Sequence, residues 1–385
     1  MSSANAQDLE EFRNSIRSFC RREVTLELVR RMDREDFIPP DLIRRLGELG
    51  YMGVAFPEEY GGGGGGIHEL VVLGEELSAV SSAISGIVIS TAVFGGLNIL
   101  LSGSDAQRSE LLPKVCSGEL LSAMAITEAD AGSDVSAVST KAERMDGGWV
   151  LNGTKMFTSG AQEAQLVMIV ARTGSGPRRH DGLTVFLVPN PTAGLEIRKL
   201  EKIGNRGITT CELVLDDVRL PHDAVLGGAE AAGEGWAQAM KTFEVERITM
   251  AAMSVGIARR ALKDAVAYAG ERHQFGQAIG NFQAVGHSLA EMATQVEAAS
   301  ALVATAANRF ADGLPCATEA AMAKLFATER AKEICLGGMQ VLGGYGYLPE
   351  FDMERHLRDA LLGTVGAGTS QIQRTIIARS MGFRT

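Results

Sequence analysis

The sequence of 385 residues contains no closely spaced cysteine pair, no histidine cluster and no basic block. Its five cysteines form no C-x-x-C pair, and this odd, scattered set is typical of reduced thiols in a cytoplasmic protein. The six histidines show neither H-x-x-x-H nor mixed His/Cys spacing, so we expect no metal site. The formal net charge of −10 argues against nucleic acid or an anionic membrane surface as a partner.

Three familiar glycine motifs are also missing. The glycine run at 61–66 is not followed by Gly-Lys-Ser/Thr, so it is expected to be a flexible turn and not a phosphate-binding loop. No G-x-G-x-x-G lies between a strand and a helix, which argues against a nicotinamide-binding Rossmann unit. No G-x-S-x-G is present, which argues against the nucleophile elbow of α/β-hydrolases.

Membrane and targeting signals are weak. The opening MSSANAQDLEEF has neither a basic nor an apolar region, so no signal peptide is expected. Residues 77–104 carry no charge, and 83–101 could cross a bilayer by length. Glycines and Asn98 interrupt this stretch, however, and its flanks are acidic. We therefore predict a helix buried inside a helical domain and no membrane span.

The hydrophobic period changes twice along the chain. Apolar residues recur at helical spacing up to about residue 118, and short β-rich runs separated by turn residues follow from about 121. From about 234 long, alanine-rich helical patterns resume. The predicted fold is mainly α with a β insert. It has an N-terminal helical domain (1–120), a middle, mainly antiparallel β domain of barrel or sandwich type (121–232), and a C-terminal four-helix bundle (233–385).

Two stretches of the middle region end apolar runs in hydroxyl residues and glycine. They are MAITEADAGSD at 124–134 and KMFTSG at 155–160. Glycines allow a backbone to approach a flat ligand, and free N–H groups in such turns suit an anionic or carbonyl-rich ring. Taken alone, each stretch is equally compatible with an ordinary polar turn.

Three further patterns lie in the last third of the chain: ERHQFG at 271–276, QVLGGYG at 340–346 and GAGTSQIQR at 366–374. With the two stretches above, they make the chain resemble the flavin-dependent acyl-CoA dehydrogenase family over nearly its whole length. The resemblance implies FAD as cofactor and an acyl-CoA or carrier-protein thioester as substrate. It also implies an electron-transfer flavoprotein or similar acceptor, and a homodimer usually paired into a homotetramer.

The resemblance also assigns roles to individual residues. One set is expected to hold the flavin ring within a subunit: Met124, Ile126, Thr127, Gly132, Ser133, Phe157, Thr158, Ser159, Thr369 and Gln371. A second set is expected to reach the FAD of a neighbouring subunit: Arg272, Phe275, Gln283, Gln340, Gly343 and Gly344. An arginine suits the pyrophosphate because its guanidinium can bind it bidentately.

The reaction implied by the resemblance needs a base for the α-proton while a hydride leaves the β-carbon for flavin N5. A carboxylate in a dry pocket suits that task. Many family members place this glutamate just before the Gly-Thr-Ser turn, where this chain has Ala367. Members similar to isovaleryl-CoA and long-chain acyl-CoA dehydrogenases carry it on an earlier helix, before an arginine. Glu246, followed by Arg247, matches that position and is the hypothesised base; alternatively it is a helix carboxylate paired with an arginine.

Further roles follow from the same resemblance. The backbone N–H of Ala367 is expected to polarise the thioester carbonyl, an oxyanion-type contribution that does not depend on the side chain. Ser133, Glu244 and Arg247 match positions close to the bound substrate. The basic loop at 178–180 is most simply a solvated turn, with recognition of a phosphate or carrier protein as the alternative.

Two other functions remain open at this stage. Relatives of this fold that lack a base bind reduced flavin and act as monooxygenases or oxidases. The other alternative is that the chain is a non-catalytic subunit of a mixed oligomer and contributes only the surface that contacts the cofactor.

Overall fold

The computed structural model describes residues 6–384, so residues 1–5, on which part of the signal-peptide expectation rests, lie outside the described residues. The first part of the chain is helical. Thr25 caps the second helix through a 3.2 Å hydrogen bond from the Leu28 N–H to its hydroxyl, and Pro39-Pro40 begins the third. The helices are α1 (Ala6–Glu23), α2 (Leu26–Glu35), α3 (Pro40–Glu48), α4 (Ile67–Ser78), α5 (Ser82–Ser90), α6 (Asn98–Ser102) and α7 (Asp105–Cys116).

The uncharged stretch forms a helical run over Ser82–Ser102 that is long and apolar enough to cross a membrane. Most of it is buried inside the protein, which agrees with the prediction of a buried core helix. Between α5 and α6 lies a π-helical segment, Thr91–Leu97, that the sequence did not indicate. Its glycines permit close packing: a Cβ on Gly95 would lie 1.7 Å from the Ser122 hydroxyl oxygen.

The glycine run at 61–66 forms a turn that is held by backbone hydrogen bonds, and its flexibility stays a prediction. Its amides donate to backbone carbonyls, among them Gly64 N–H to Phe56 O at 2.8 Å and Gly65 N–H to Val54 O at 3.0 Å. A Cβ on Gly62 would lie 2.2 Å from the Phe56 carbonyl oxygen. Gly62 and Gly65 therefore allow a close approach between two segments of backbone.

The middle part forms one seven-stranded sheet that is mainly antiparallel, as predicted. Its spatial order is β1-β4-β2-β3-β7-β6, and β5 pairs with β4. The pairing of β1 with β4 is parallel, and β2 also meets the end of β4 in parallel. The strands are β1 (Ser122–Ala125), β2 (Lys141–Met145), β3 (Gly148–Ser159), β4 (Leu166–Arg172), β5 (Leu183–Pro189), β6 (Leu195–Lys199) and β7 (Thr210–Pro221).

Both faces of the sheet are covered at β4 and β5. Leu166, Met168 and Val170 belong to the core shared with the helices, whereas Val167 and Ile169 belong to a second core on the other face. Successive side chains of a strand point to opposite faces, so a strand covered on both sides is continuously apolar. This explains the apolar run QLVMIVAR in the sequence.

The last part is a helical bundle, as predicted. Three long helices, α9, α10 and α11, are completed by shorter ones, and α9 also packs against α4 of the N-terminal part. A Cβ on Gly256 would lie 2.2 Å from the Glu75 carbonyl oxygen, so this crossing requires glycine. The elements are α8 (Gly235–Met240), α9 (Phe243–Glu271), the hairpin β8 (His273–Gln274) and β9 (Gln277–Ala278), α10 (Gln283–Ala311), α11 (Ala317–Leu342), α12 (Met353–Gly363) and α13 (Ser370–Ser380).

All five cysteines are buried and free. Within residues 6–384, no group of three histidine, cysteine or carboxylate side chains is arranged to hold a metal ion.

Candidate active site

The loop after β1 lies beside the segment that ends β3. The Met156 N–H donates to the Thr127 carbonyl at 2.8 Å, which joins the two stretches that the sequence singled out. In the first loop, Met124, Ile126 and Thr127 are half-buried, whereas Gly132 and Ser133 are exposed. The predicted flavin-ring residues of both stretches therefore lie in one region of the middle domain.

An irregular step in β3 presents an aromatic ring to solvent. The pairing of β3 with β7 shifts between Lys155 and Thr158. There Phe157 takes a φ of 59°, and its side chain is 63% exposed. The Thr158 hydroxyl is buried and has no hydrogen-bond partner within the described residues. An exposed ring beside an unpartnered polar group is an incomplete site, because buried polar groups are normally hydrogen-bonded.

A buried ion pair, which sequence reasoning missed, fixes the two stretches to each other. The Lys155 ammonium, fully buried, donates to Glu128 Oε1 at 2.8 Å and to the Ile126 carbonyl at 3.0 Å. The Glu128 carboxylate also accepts bonds from the N–H and hydroxyl groups of Ser139 and Thr140 at 2.6–2.9 Å. These hydrogen bonds lower the pKa of Glu128 to about 2, against the effect of its burial.

The start of α9 shares an apolar core with the first loop. Val245 and Ile248 belong to the same apolar core as Ala131 in the first loop. Between them, the Glu246 carboxylate makes neither an ion pair nor a hydrogen bond within the described residues. Desolvation raises the pKa of Glu246 to about 7, and the charges of Arg247 and Lys324 only partly oppose this rise. Glu246 is thus a carboxyl that can change its protonation state near neutral pH.

The residues beside Glu246 are also held by few polar contacts. The Glu244 carboxylate accepts a 3.5 Å contact from the Cys316 thiol. The Arg247 guanidinium lies 5.8 Å from the centre of the Phe243 ring, and its Nε is buried without a partner among the described residues. Burial lowers the pKa of Arg247 from its usual value. The Arg247 Nε is therefore an exception to the rule that buried polar groups are hydrogen-bonded.

The turn between α12 and α13 brings Ala367 to the same side of the bundle. Ala367 and Gly368 both take left-handed backbone conformations, with φ of 53° and 76°. Their carbonyls accept hydrogen bonds from the Gln373 amide at 3.1 and 2.9 Å, and the Gly368 carbonyl also accepts one from the Lys324 ammonium at 2.6 Å. No hydrogen bond is made by the Ala367 N–H to any described residue. The carbonyls of this turn are therefore hydrogen-bonded, whereas the Ala367 N–H has no partner among the described residues.

Thr369 and Gln371, assigned to the cofactor by resemblance, flank this turn. The Thr369 hydroxyl caps α13 by accepting a hydrogen bond from the Ile372 N–H at 3.2 Å. Gln371 is exposed on the first turn of α13.

The second predicted cofactor set lies at the opposite end of α9. Arg272 follows the last residue of α9 and is 26 positions from Glu246, which is about 39 Å along a helix. The Arg272 guanidinium lies 5.8 Å from the centre of the Tyr345 ring, next to a cavity of about 570 Å³ that Gly343 and Gly344 also line. Phe275, on the adjoining hairpin, is 94% exposed. Gln283 and Gln340 are also exposed.

The basic loop at 178–180 lies near the first loop. Arg179 forms a 2.7 Å ion pair with Asp134, and the His180 ring stacks on Trp236 with 4.8 Å between centroids. The side chains of Arg178 and Arg179 are about three-quarters exposed, at 73% and 75%. This agrees with a solvated loop.

Comparison with known proteins matches the whole described chain. Three family models are recognised in order: the acyl-CoA dehydrogenase N-terminal domain at residues 6–119, the middle domain at 123–218 and the C-terminal domain at 233–382. An acyl-CoA dehydrogenase of Bacillus subtilis is 38% identical over 375 residues, covering 97% of each chain. The caffeyl-CoA reductase–Etf complex subunit CarC of Acetobacterium woodii is 36% identical over 95% of this chain and 96% of its own.

A solved structure gives the same result. Butyryl-CoA dehydrogenase from Megasphaera elsdenii superposes with a TM-score of 0.94 at 31% identity, and all of both chains is covered. Sequence and fold agree over the full length of the relatives. The chain therefore belongs to the acyl-CoA dehydrogenase family and is an FAD-dependent oxidoreductase.

Proposed function

We propose that this enzyme oxidises an acyl thioester to its α,β-unsaturated product, with Glu246 as the base that removes the α-proton. One observation carries the assignment: Glu246 has no ion-pair partner among the described residues, although Arg247 follows it directly in the chain. This argues against the alternative of a structural carboxylate. Ala367, at the other position the family uses, cannot accept a proton.

The properties of Glu246 suit proton transfer at neutral pH. A general base works best when its pKa lies near the working pH, and burial brings the pKa of this carboxyl to about 7. Glu246 is half-buried between the buried Val245 and Ile248, and this desolvation favours the protonated form of its carboxyl. The α-proton moves to a carboxylate oxygen of Glu246 as the Cα–H bond breaks.

The α-proton of a thioester is weakly acidic, so its carbonyl must be polarised. The Ala367 N–H has no hydrogen-bond partner among the described residues. The carbonyls of the same turn accept hydrogen bonds from the Lys324 and Gln373 side chains. A fixed backbone donor of this kind stabilises the developing enolate oxygen without reorganisation. We assign Ala367 this role through its main chain.

The residues of the middle domain fit an isoalloxazine ring. Phe157 offers an exposed face, and the buried Thr158 hydroxyl lacks a partner that a ring carbonyl or nitrogen would provide. When bound, FAD accepts the hydride that leaves the β-carbon. We propose that the ring is held by Met124, Ile126, Thr127, Gly132, Ser133, Phe157, Thr158, Ser159, Thr369 and Gln371.

The second set belongs, in our proposal, to the FAD of a neighbouring subunit. Its separation of about 39 Å from Glu246 along α9 supports this, because one subunit cannot easily bring both ends of the helix to one site. Arg272 would pair with the pyrophosphate. The rest of the surface that contacts this FAD would consist of Phe275, Gln283, Gln340, Gly343 and Gly344. The assembly would be a homodimer or homotetramer.

Substrate contacts and context complete the proposal. Arg247, with its buried unpartnered Nε, and Ser133 and Glu244 are assigned to the thioester and its carrier. The domain boundaries are placed at 120/121 and 232/233. An electron-transfer flavoprotein is the proposed acceptor, supported by the Etf-complex relative, and the cytoplasm is the proposed location.

The base assignment is tested by Glu246→Gln, which keeps the shape but not the proton acceptor. Anaerobic flavin reduction should slow by about 10²-fold or more. Lys263→Met, on the exposed face of α9, serves as the control and should reduce at the wild-type rate. Near wild-type reduction in Glu246→Gln would refute the assignment.

The reaction itself is tested by titrating the purified protein with straight-chain and branched acyl-CoA thioesters. Bleaching of the oxidised flavin band by one class would establish dehydrogenation and identify the substrate. A protein that holds FAD but is bleached by no member would direct attention to carrier-protein thioesters or to oxygen chemistry.

A further inference from the structure

Lys324 is a buried lysine that takes part in no chemical step of the mechanism above. Its side chain, on α11, is fully buried. No carboxylate of the described residues lies within ion-pair distance of its ammonium, and its one hydrogen bond goes to the Gly368 carbonyl at 2.6 Å. Burying an ammonium without an ion pair costs several kcal/mol in folding free energy. A lysine kept there at such a cost is a candidate for function.

We propose that Lys324 is a positioning residue that holds the turn bearing Ala367 and presents a positive charge to Glu246. This inference rests on the proposed function, because it assigns Lys324 to the same base and the same N–H donor. It extends that function by linking the two groups through one side chain.

The geometry of the turn supports the first part. Two successive left-handed residues, Ala367 and Gly368, turn their carbonyls toward Lys324 and Gln373. A non-glycine residue in this conformation costs roughly 1–2 kcal/mol, so the surrounding contacts must maintain it. The bond from Lys324 to the Gly368 carbonyl is the shortest of these contacts. Removing it would free the turn to rotate the Ala367 N–H away from the substrate.

The charges around Glu246 support the second part. Helix α11 packs along α9, and Ala323, next to Lys324, belongs to the same apolar core as the residues on either side of Glu246. The cations whose charges lower the pKa of the Glu246 carboxyl are Arg247 on α9 and Lys324 on α11. The negative charge of Glu244 raises the pKa of Arg247, and that of Glu329 raises the pKa of Lys324. The carboxylates that α4 presents to α9, Glu75 and Glu76, lie further along that helix and are bound by Arg13 and Arg259.

Lys324 remains charged under working conditions. Burial lowers its pKa to about 8, so the ammonium is protonated at pH 7. A positive charge near a carboxyl favours the carboxylate, and its loss raises the pKa of that carboxyl. Without Lys324, the acid limb of flavin reduction should therefore move to higher pH.

Three variants separate the hydrogen bond from the charge. Lys324→Arg keeps both, Lys324→Gln keeps a donor without charge, and Lys324→Met removes both. We would measure the pH dependence of flavin reduction by the thioester that bleaches the wild type. Hydrogen exchange of residues 364–370 would be followed in the same proteins without substrate. Lys263→Met, an exposed change on the helix that carries Glu246, is the control.

The expected pattern is specific. Lys324→Gln and Lys324→Met should move the acid limb upward by roughly one pH unit, whereas Lys324→Arg should leave it in place. Only Lys324→Met should strongly accelerate exchange at 364–370, and it should also slow reduction by about tenfold or more at pH 7. A purely structural lysine would lower the melting temperature without moving the pH limb.

Two results would overturn the proposal: an acid limb at the wild-type position in Lys324→Gln and Lys324→Met, or unchanged exchange in Lys324→Met. If no thioester bleaches the wild-type flavin, the proposed function fails. Hydrogen exchange of residues 364–370 would still test whether Lys324 stabilises the turn that contains Ala367.

Discussion

At the scale of single residues, the site depends on side chains that lack the partners their chemistry favours. Glu246 has no cation within ion-pair distance among the described residues, and the Arg247 Nε and the Thr158 hydroxyl are buried without acceptors or donors. Such groups reduce the free energy of unfolding, because each has lost its hydration without full replacement. A site of this kind gains stability when ligands supply the missing contacts.

Glu246 should therefore make the protein less stable as pH rises. Its folded pKa of about 7 exceeds the ordinary value of 4.5, so the folded state binds the proton more tightly than the unfolded chain. The penalty is absent below about pH 4.5 and complete above about pH 7. We expect Glu246→Gln to gain up to roughly 3 kcal/mol in unfolding free energy at pH 8 and nothing at pH 4. Urea unfolding of the apoprotein at the two pH values measures this, and an equal gain at both would contradict the raised pKa.

Ala367 should tolerate loss of its side chain. Its φ of 53° disfavours an L-residue by roughly 1–2 kcal/mol, whereas glycine adopts this conformation freely. Ala367→Gly keeps the N–H donor, so we expect flavin reduction close to the wild-type rate and a melting temperature that is unchanged or slightly higher. Stopped-flow reduction and thermal unfolding check both. A large loss of rate would show that the methyl group, and not the main chain, matters here.

At the scale of secondary-structure elements, one ion pair joins β3 to the loop after β1. Lys155 and Glu128 have almost no exposed surface, and together they bond Ile126, Ser139 and Thr140. A buried pair of this kind adds little net stability, but removing one partner leaves an uncompensated charge. The pair thus fixes the relative position of the two stretches that we assign to the flavin.

Lys155→Met should lower the free energy of unfolding by roughly 3–5 kcal/mol and reduce the flavin content of the purified protein. Lys141→Met, at an exposed position of β2, should change neither. Urea unfolding and the ratio of flavin to protein absorbance measure the two effects. Full flavin content in a destabilised Lys155→Met would separate the ion pair from cofactor binding.

The low pKa of Glu128 leads us to expect a loss of folding stability in acid. Its folded pKa of about 2 lies below the ordinary 4.5, so its stabilising effect is present above about pH 4.5 and is lost as pH falls toward 2. Glu128→Gln should therefore flatten the loss of stability between these values. A wild-type slope in the variant would show that other carboxylates govern acid unfolding.

At the scale of the whole molecule, the two helical regions are held together by ion pairs across the chain. Arg358 pairs with Asp33 at 2.7 Å, and Arg30 pairs with Asp352 at 2.7 Å, which ties α2 to α12. The far end of α9, with Arg272 and the glycines after α11, is exposed. It is the surface that we propose contacts the FAD of another subunit.

Mixed oligomers test this arrangement. If each site combines Glu246 of one subunit with Arg272 of another, then mixing Glu246→Gln subunits with Arg272→Met subunits restores one intact site. We expect each variant alone to be nearly inactive and the mixture, after co-expression, to recover a substantial part of the wild-type activity. A mixture no more active than its components would place both residues in the same site.

Much of this protein could be predicted from local patterns. The change from helical to strand periodicity near residue 121, and back near 234, reflects the 3.6- and 2-residue repeats by which each element buries one face. The burial of 82–102 also followed, because its acidic flanks and interrupting glycines do not suit a bilayer. The π-helical segment and the hydrogen bonds of the glycine run at 61–66 were not predicted. The first packs against Ser122, and the second folds back on the backbone of residues 53–58, and neither contact follows from periodicity.

The sequence by itself determined the family, the order of helical and β regions and the candidate base, because these rest on residue types and their spacing. Only the tertiary structure decided which charges are paired. Glu128 and Lys155 lie in the two stretches that the sequence singled out, but nothing in their spacing predicted that they form an ion pair. Lys324 lies in an ordinary-looking helix, and Glu246 looks like half of a common Glu-Arg pair. Burial and the distance between chain segments remote in sequence set the cost of a charge, and these quantities exist only once the chain has folded.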